Sequence, residues 1–290
     1  MNTSMKTTPR YQSRSFRTKI KKVLVSLILL AGSLVILSPV LWMVSTSLKT
    51  PGEIAQFPPS FLPDKFQWNN YIEAWNTAPF TRWALNTLFI TVCVVIGSVL
   101  VNSLVAYGFA KIRFRGKNIL FVIVLSTMLI PGFVLLIPQY MLFSKIGWVN
   151  TYLPLIVPAF LGNAFFIFLL RQFFMTLPNE MIEAAKIDGA NHFQIWWKIA
   201  MPLMKPAIIT IAIFSFNGAW NDFLGPLLYI NDENLYTLQI GLQTFKGTVQ
   251  TQWHYLMAAS VLVLLPVVLI FFFFQKYFIE GANITSGTKG

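Results

Sequence analysis

The chain has 290 residues, of which 56% are hydrophobic and only 11% are charged, and these proportions exclude an ordinary soluble domain. Its formal net charge is +12, but the basic residues lie between apolar segments, which argues against nucleic-acid binding. Cys93 is the only cysteine, and His192 and His254 are the only histidines. The sequence therefore predicts neither an intrachain disulfide nor a metal cluster.

Six apolar segments are long enough to cross about 30 Å of hydrocarbon as helices. They are continuous runs without strict alternation, which favours helices over a barrel. We therefore predict an all-α membrane protein with a six-helix transmembrane domain at 23–276, an N-terminal tail at 1–22 and a C-terminal tail at 277–290. The six spans are placed at 23–45, 85–109, 119–142, 152–170, 206–225 and 255–275.

The basic residues are distributed unevenly between the two sides that six spans define. The N-terminal tail, the connection between the second and third spans, the region around 177–205 and the C-terminal tail carry most of them. The other three connections hold only Lys49, Lys65, Arg82, Lys145 and Lys246. The positive-inside rule therefore predicts that both termini and the 177–205 segment are cytoplasmic.

Two features along the chain predict local geometry outside and inside the membrane. In the first external segment, Trp68, Tyr71 and Trp75 recur at helical spacing, which is typical of a short helix anchored at the headgroups. In the third span, the pair at 131–132 is Pro-Gly, which predicts a kink near the middle of the membrane.

The polar segment at 177–205 is patterned as two helices with a turn between them. Pro178 can open the first helix, and Gly189 stands where a C-terminal stop is expected. Asn191 can cap the second helix. Helical spacing predicts that Ala184 and Ala185 share one face, which a partner could approach closely. The alternative is a solvated amphipathic connector.

The fifth span carries the polar residues that we consider for a solute pathway. Asn217 and Asn221 are four residues apart, and Trp220 is adjacent to the second of them. We select these three because sites for hydroxyl-rich solutes combine hydrogen bonds with aromatic faces. Asp222 is expected near the outer interface, where it would make a rim or interhelix contact rather than carry protons.

These residues carry a family resemblance that covers nearly the whole chain after residue 20. The 177–205 segment resembles the EAA loop of permease subunits in binding-protein-dependent ABC importers, and its flanks are most similar to MalG-like subunits of carbohydrate importers. One departure is Met201, where the family more often has leucine; both are apolar. The matching residues are Glu183-Ala184-Ala185, Asp188-Gly189-Ala190, Ile199 and Met201-Pro202, with flanking matches at Asn150-Thr151-Tyr152, Arg171-Gln172-Phe173-Phe174 and Trp220-Asn221-Asp222-Phe223.

The resemblance implies a type I ABC importer permease (MetI-like) fold and a coupling helix seated in a cleft of an ATP-binding subunit. It implies charge contacts from Glu183 and Asp188, close approach at Ala184 and Ala185, and a turn at Gly189. The implied coupling set is Glu183, Ala184, Ala185, Asp188, Gly189 and Pro202. Trp196 and Trp197 are expected to anchor the loop at the membrane face, and the C-terminal tail is expected to reach the ATPase dimer.

The resemblance also implies the partners and the location of the protein. We expect a second, different permease subunit, two ATP-binding cassette subunits, an extracytoplasmic solute-binding protein, a carbohydrate solute and a bacterial cytoplasmic membrane. The first external segment is then a candidate docking surface for the binding protein. The sequence has no G-x-x-x-x-G-K-[ST] loop, so ATP and Mg²⁺ are expected on the partner subunits and this chain has no cofactor of its own.

Two other classes of membrane protein are alternatives to the importer. An ion- or proton-coupled secondary carrier would favour inverted repeats and charges within the membrane. A membrane-embedded enzyme would favour a cluster of His, Asp or Cys within the spans. Neither pattern is evident in the sequence, so both remain alternatives to a transport subunit that is not itself an enzyme.

Overall fold

The computed structural model describes residues 10–247 and 251–285, and the regular structure in these ranges is almost entirely helical. The ends of both predicted tails, at 1–9 and 286–290, lie outside the described residues. The α-helices are α1 Arg10–Ser47, α2 Pro51–Ala55, α3 Asn69–Asn76, α4 Phe80–Lys111, α5 Lys117–Ser126, α6 Gly132–Lys145, α7 Leu153–Ile156, α8 Ala164–Met175, α9 Asn179–Ile187, α10 His192–Ile195, α11 Met201–Leu203, α12 Lys205–Trp220, α13 Leu224–Tyr229, α14 Leu238–Gly241 and α15 Trp253–Thr285.

Within the described residues, four helical segments are long and apolar enough to cross a membrane alone, and two bent helix pairs raise the number of candidate spans to as many as six. The predicted kink at Pro131 and Gly132 is confirmed, since α5 and α6 meet there at 96°. Proline has no backbone N–H to donate, so the helical ladder is interrupted at that point. The predicted fifth span is shorter than expected, because α12 ends at Trp220 and α13 follows as a separate helix.

The centre of the molecule is α4, a 32-residue helix. It packs against α8 and α12, and α12 in turn packs against α15. Small and polar side chains on α4 permit this close approach; Gly97, Ser98, Asn102 and Ser103 are all buried. The Asn102 side chain accepts a hydrogen bond from the Asn163 backbone N–H at 2.6 Å, which fixes the start of α8 against α4.

The N-terminal end of α4 is covered by the segment between α13 and α15. The Trp83 indole N–H donates to the carbonyl of Glu233 at 2.9 Å, and the Thr87 hydroxyl accepts from the Leu238 backbone N–H at 2.9 Å. Gly241 lies directly on the Trp83 ring, and a Cβ there would be 2.6 Å from Cζ3 of that ring. This contact requires glycine for steric reasons.

The apolar residues of α1 are largely exposed. Within the span 18–47, the most apolar window of 18 residues contains no buried residue, although α1 contacts α15 along one side. An exposed apolar helix of this length needs lipid or another protein to cover it.

Candidate functional site

The first helix of the 177–205 segment, α9, ends as the sequence predicts. Gly189 has φ +83°, the left-handed conformation that glycine adopts without steric cost. The Gly189 N–H donates to the Lys186 carbonyl and the Ala190 N–H to the Ala185 carbonyl, both at 3.0 Å. This pair of bonds is a Schellman motif, which satisfies carbonyl groups at the helix end and reverses the chain.

The predicted cap of the second helix is also confirmed. The Asn191 side chain accepts from the Gln194 backbone N–H, and the Gln194 side chain accepts from the Asn191 backbone N–H, both at 2.9 Å. This reciprocal capping box starts α10 immediately after the turn. A π-helical segment, Trp196–Ala200, then leads into α11 and α12. The two helices and the turn are therefore a defined structural unit, here called the coupling loop (residues 177–205).

One face of the coupling loop is built into the core of the bundle. Leu177, Ile182, Ala185, Ile195 and Trp196 are buried in a cluster that also contains side chains of α4, α8 and α12. Such interdigitated packing transmits displacement because it has little compressible space. The coupling loop is therefore held in one core cluster with side chains of three helices of the bundle.

Hydrogen bonds also hold the buried side of the coupling loop against the C-terminal end of α4. Lys111 Nζ donates to the Leu177 carbonyl at 2.6 Å and to the Asn179 side-chain oxygen at 2.9 Å. The Tyr107 hydroxyl lies 3.3 Å from Nδ1 of His192, with the two rings edge to face. These contacts tie both helices of the loop to α4.

The opposite face of the loop is exposed and carries most of the predicted coupling set. Glu183, Ala184, Asp188, Gly189 and Pro202 are all exposed. The prediction that Ala184 and Ala185 share an exposed face is wrong for Ala185, which is only 8% exposed and belongs to the core. Adjacent helical residues are about 100° apart around the helix axis, so the two alanines lie on different sides of α9.

Two apolar residues on the exposed face were missed by the sequence reasoning. Ile187 is 88% exposed and Phe193 is 61% exposed. Exposed apolar side chains within a defined loop are typical of a surface that another protein covers. The sequence did contain a signal for Ile187: it follows Ala184 by three residues and therefore lies on the same face of α9.

Trp220 is not available to a solute, contrary to the prediction. It is 6% exposed, its indole N–H donates to the Val263 carbonyl at 3.0 Å, and its ring stacks on Phe216. Asn217 and Asn221, in contrast, are exposed and hydrogen-bonded to each other. Trp220 directly precedes Asn221, and successive helical residues are about 100° apart. The Trp220 indole therefore faces the core while the Asn221 side chain is exposed.

Near this asparagine pair, a cavity of about 280 Å³ lies between α4, α7, α12 and α13. Asp222 lines it, and its carboxylate accepts from the Gly225 backbone N–H in the first turn of α13 at 3.1 Å. The buried hydroxyls of Ser215 and Thr237 also line the cavity and have no hydrogen-bond partner among the described residues. These polar groups can hydrogen-bond water or a hydroxyl-bearing solute.

The chain belongs to the family of binding-protein-dependent transport system inner membrane components, which matches residues 98–282. It is 36% identical over 247 residues to the arabinooligosaccharides transport system permease protein AraQ of Halalkalibacterium halodurans, covering 85% of this chain and 86% of that protein. It is 32% identical to the sn-glycerol-3-phosphate transport system permease protein UgpE of Pectobacterium atrosepticum, over 87% of this chain and 92% of that protein.

The fold is that of an ABC importer permease. A chain from the crystal structure of a bacterial ABC transporter involved in the import of the acidic polysaccharide alginate superimposes with a TM-score of 0.79. The two chains are 25% identical, and the match covers 94% of this chain and all of that one. The predicted MetI-like fold and the family assignment are confirmed.

Proposed function

We propose that this chain is a permease subunit of an ATP-driven importer and forms part of the translocation pathway for a carbohydrate. The observation that carries the proposal is the two-sided coupling loop, which is packed into the bundle on one face and open on the other. A motor subunit that binds the open face displaces α4, α8 and α12 together. The relatives that transport arabinooligosaccharides and sn-glycerol-3-phosphate support a hydroxyl-rich solute.

In the proposed arrangement the chain spans a bacterial cytoplasmic membrane six times, with both termini and the coupling loop in the cytoplasm. Basic residues at the coupling-loop end of the bundle support this orientation, among them Lys111, Arg171 and Lys186. Two ATP-binding cassette subunits bind ATP and Mg²⁺ and dock on the loop. The exposed apolar side of α1 meets lipid or a second permease subunit.

At the other end, the segment containing α2 and α3 offers a surface to an extracytoplasmic solute-binding protein. Trp68 is 66% exposed and precedes α3, whereas Tyr71 is held by a 2.7 Å hydrogen bond to the Ser47 hydroxyl. Asn217 and Asn221 are the pathway residues that we retain, because their amides remain exposed.

The test is co-purification of partner subunits with wild type and with Gly189→Arg after mild detergent solubilisation. A Cβ at Gly189 would have no described atom within 4 Å beyond its chain neighbours, so the main internal cost is the left-handed backbone, about 1–2 kcal/mol. We expect the variant to reach the membrane and to lose the ATPase, because arginine obstructs the exposed turn.

Gly147→Arg is the matched control, since Gly147 has φ +75° and equally open surroundings but lies at the opposite end of the bundle. This variant should retain the ATPase. Retention of the ATPase by Gly189→Arg, or solute flux by the isolated chain in liposomes without ATP, would contradict the proposal and favour a secondary carrier.

A further inference from the structure

We propose that a basic cavity beside the coupling loop binds the headgroup of an anionic phospholipid. The inference rests on the proposed orientation, in which this end of the bundle lies at the cytoplasmic membrane surface. It adds a lipid ligand to a region that the proposed function uses only for contact with the ATPase.

The cavity has a volume of about 360 Å³ and lies between the end of α4, the start of α5 and the side of α9. Four cationic side chains line it: Lys111, Arg113, Lys117 and Lys186. Glu183 is the one carboxylate in the lining, and Glu180 acts on Lys111 from nearby. The excess of positive charge is concentrated in a concave space, where it favours a compact anion.

The four cations are not equally occupied by contacts within the chain. Lys111 and Lys117 each donate two hydrogen bonds to acceptors that include backbone carbonyls, and these bonds hold the cavity walls in place. Arg113 and Lys186 are exposed and have no hydrogen bond or ion pair with any described residue. Their donors are therefore available to phosphate oxygens, to which guanidinium and ammonium groups bind well.

An apolar surface adjoins the basic cavity. A second cavity of about 400 Å³ shares Arg113 and Lys117 with the first and is also lined by Phe114 and Ile119. Phe114 is 42% exposed and Ile119 is 69% exposed, and Ile119 lies in the first turns of a candidate membrane helix. A phospholipid could place its phosphate in the basic cavity and its acyl chains along these apolar residues. A free anion would use only the basic cavity.

The experiment is a titration of the purified complex, with its partner subunits, with phosphatidylglycerol, read as bound lipid by native mass spectrometry. Phosphatidylcholine serves as the neutral reference. Removing both unpartnered charges in Arg113→Gln/Lys186→Gln should weaken phosphatidylglycerol binding at least about 100-fold, since each side chain loses a charge-assisted hydrogen bond to the phosphate, which contributes about 1.5–3 kcal/mol. Each single variant should weaken it at least about 10-fold, so the test survives a double variant that fails to assemble.

The matched control is Arg115→Gln/Lys198→Gln, which removes the same charge from exposed positions outside the cavity lining. It should bind phosphatidylglycerol as wild type does. Equal lipid binding by the two double variants would overturn the proposal, as would full competition by inorganic phosphate, which would indicate a site for free anions.

Retention of the ATPase is scored in the same samples. Loss of lipid with the ATPase retained supports the lipid site. Loss of the ATPase with lipid binding intact would assign the cavity to the partner subunit and overturn the lipid proposal. Neither result affects the assignment of the coupling loop, which depends on Gly189→Arg.

Discussion

The two adjacent alanines of α9 give a sharp test of the division between the inner and outer faces of the coupling loop. Ala184 is exposed, and Ala185 is 8% exposed within the core cluster. We expect Ala185→Asp to destabilise the permease itself. We expect Ala184→Asp to leave the fold intact and to weaken only the binding of the ATPase.

The magnitude follows from what the two substitutions share and where they differ. Both replace alanine by aspartate in the same helix, at a cost of up to about 0.7 kcal/mol. Both also place negative charge near the helix C-terminus, which costs about 0.3–1 kcal/mol. Only Ala185→Asp buries an unpaired carboxylate, which lowers the free energy of unfolding by about 3–5 kcal/mol. The difference between the variants therefore isolates burial at about 3 kcal/mol or more.

Thermal unfolding of the detergent-solubilised chain measures the first effect, and co-purification of the ATPase measures the second. At roughly 2–4 °C per kcal/mol for a chain of this size, Ala185→Asp should unfold at least about 6 °C below Ala184→Asp. Equal unfolding temperatures, or a larger loss for Ala184→Asp, would refute the assignment of the two faces.

Three further predictions test the rest of the structure. Gly241→Ala should lower stability by about 1–3 kcal/mol, because its methyl group overlaps the Trp83 ring; Gly108→Ala, in open space within a helix, should be neutral or stabilising in the same thermal assay. Trp220→Phe should cost about 1 kcal/mol through its lost hydrogen bond and leave the KM for solute unchanged, whereas a raised KM at unchanged stability would restore it to the pathway. Hydrogen bonds from the backbone lower the pKa of Glu53 below its usual range, so its stabilising effect on residues 50–64 is present at neutral pH and is lost as the pH falls below about 4.3 through the lowered pKa. Hydrogen-exchange protection of that segment should fall over this interval in wild type, whereas Glu53→Gln, whose side-chain oxygen can still accept but does not titrate, should show protection that does not change with pH. pH-independent protection in wild type would contradict the role of the carboxylate.

Features that depend on local chemistry are readable from the amino-acid sequence. Glycine at position 189, followed by Asn191, predicts a left-handed stop and a new helix cap, and both are present. Pro131 predicts a break in the third span because proline cannot donate to the helical ladder, and the helices bend there. Such signals are contained in one or two residues, so they are readable without knowledge of the neighbours.

Which side of each helix is buried depends instead on how the helices pack against one another. Ala185 and Trp220 looked available from composition and spacing, yet both belong to the core, while Ile187 and Phe193 are exposed. In a membrane protein most residues on every face are apolar, so hydrophobic periodicity carries little information about which face meets protein. The basic cavity has the same origin, because Arg113 and Lys186 are distant in sequence and line one space only after α4, α5 and α9 have packed together.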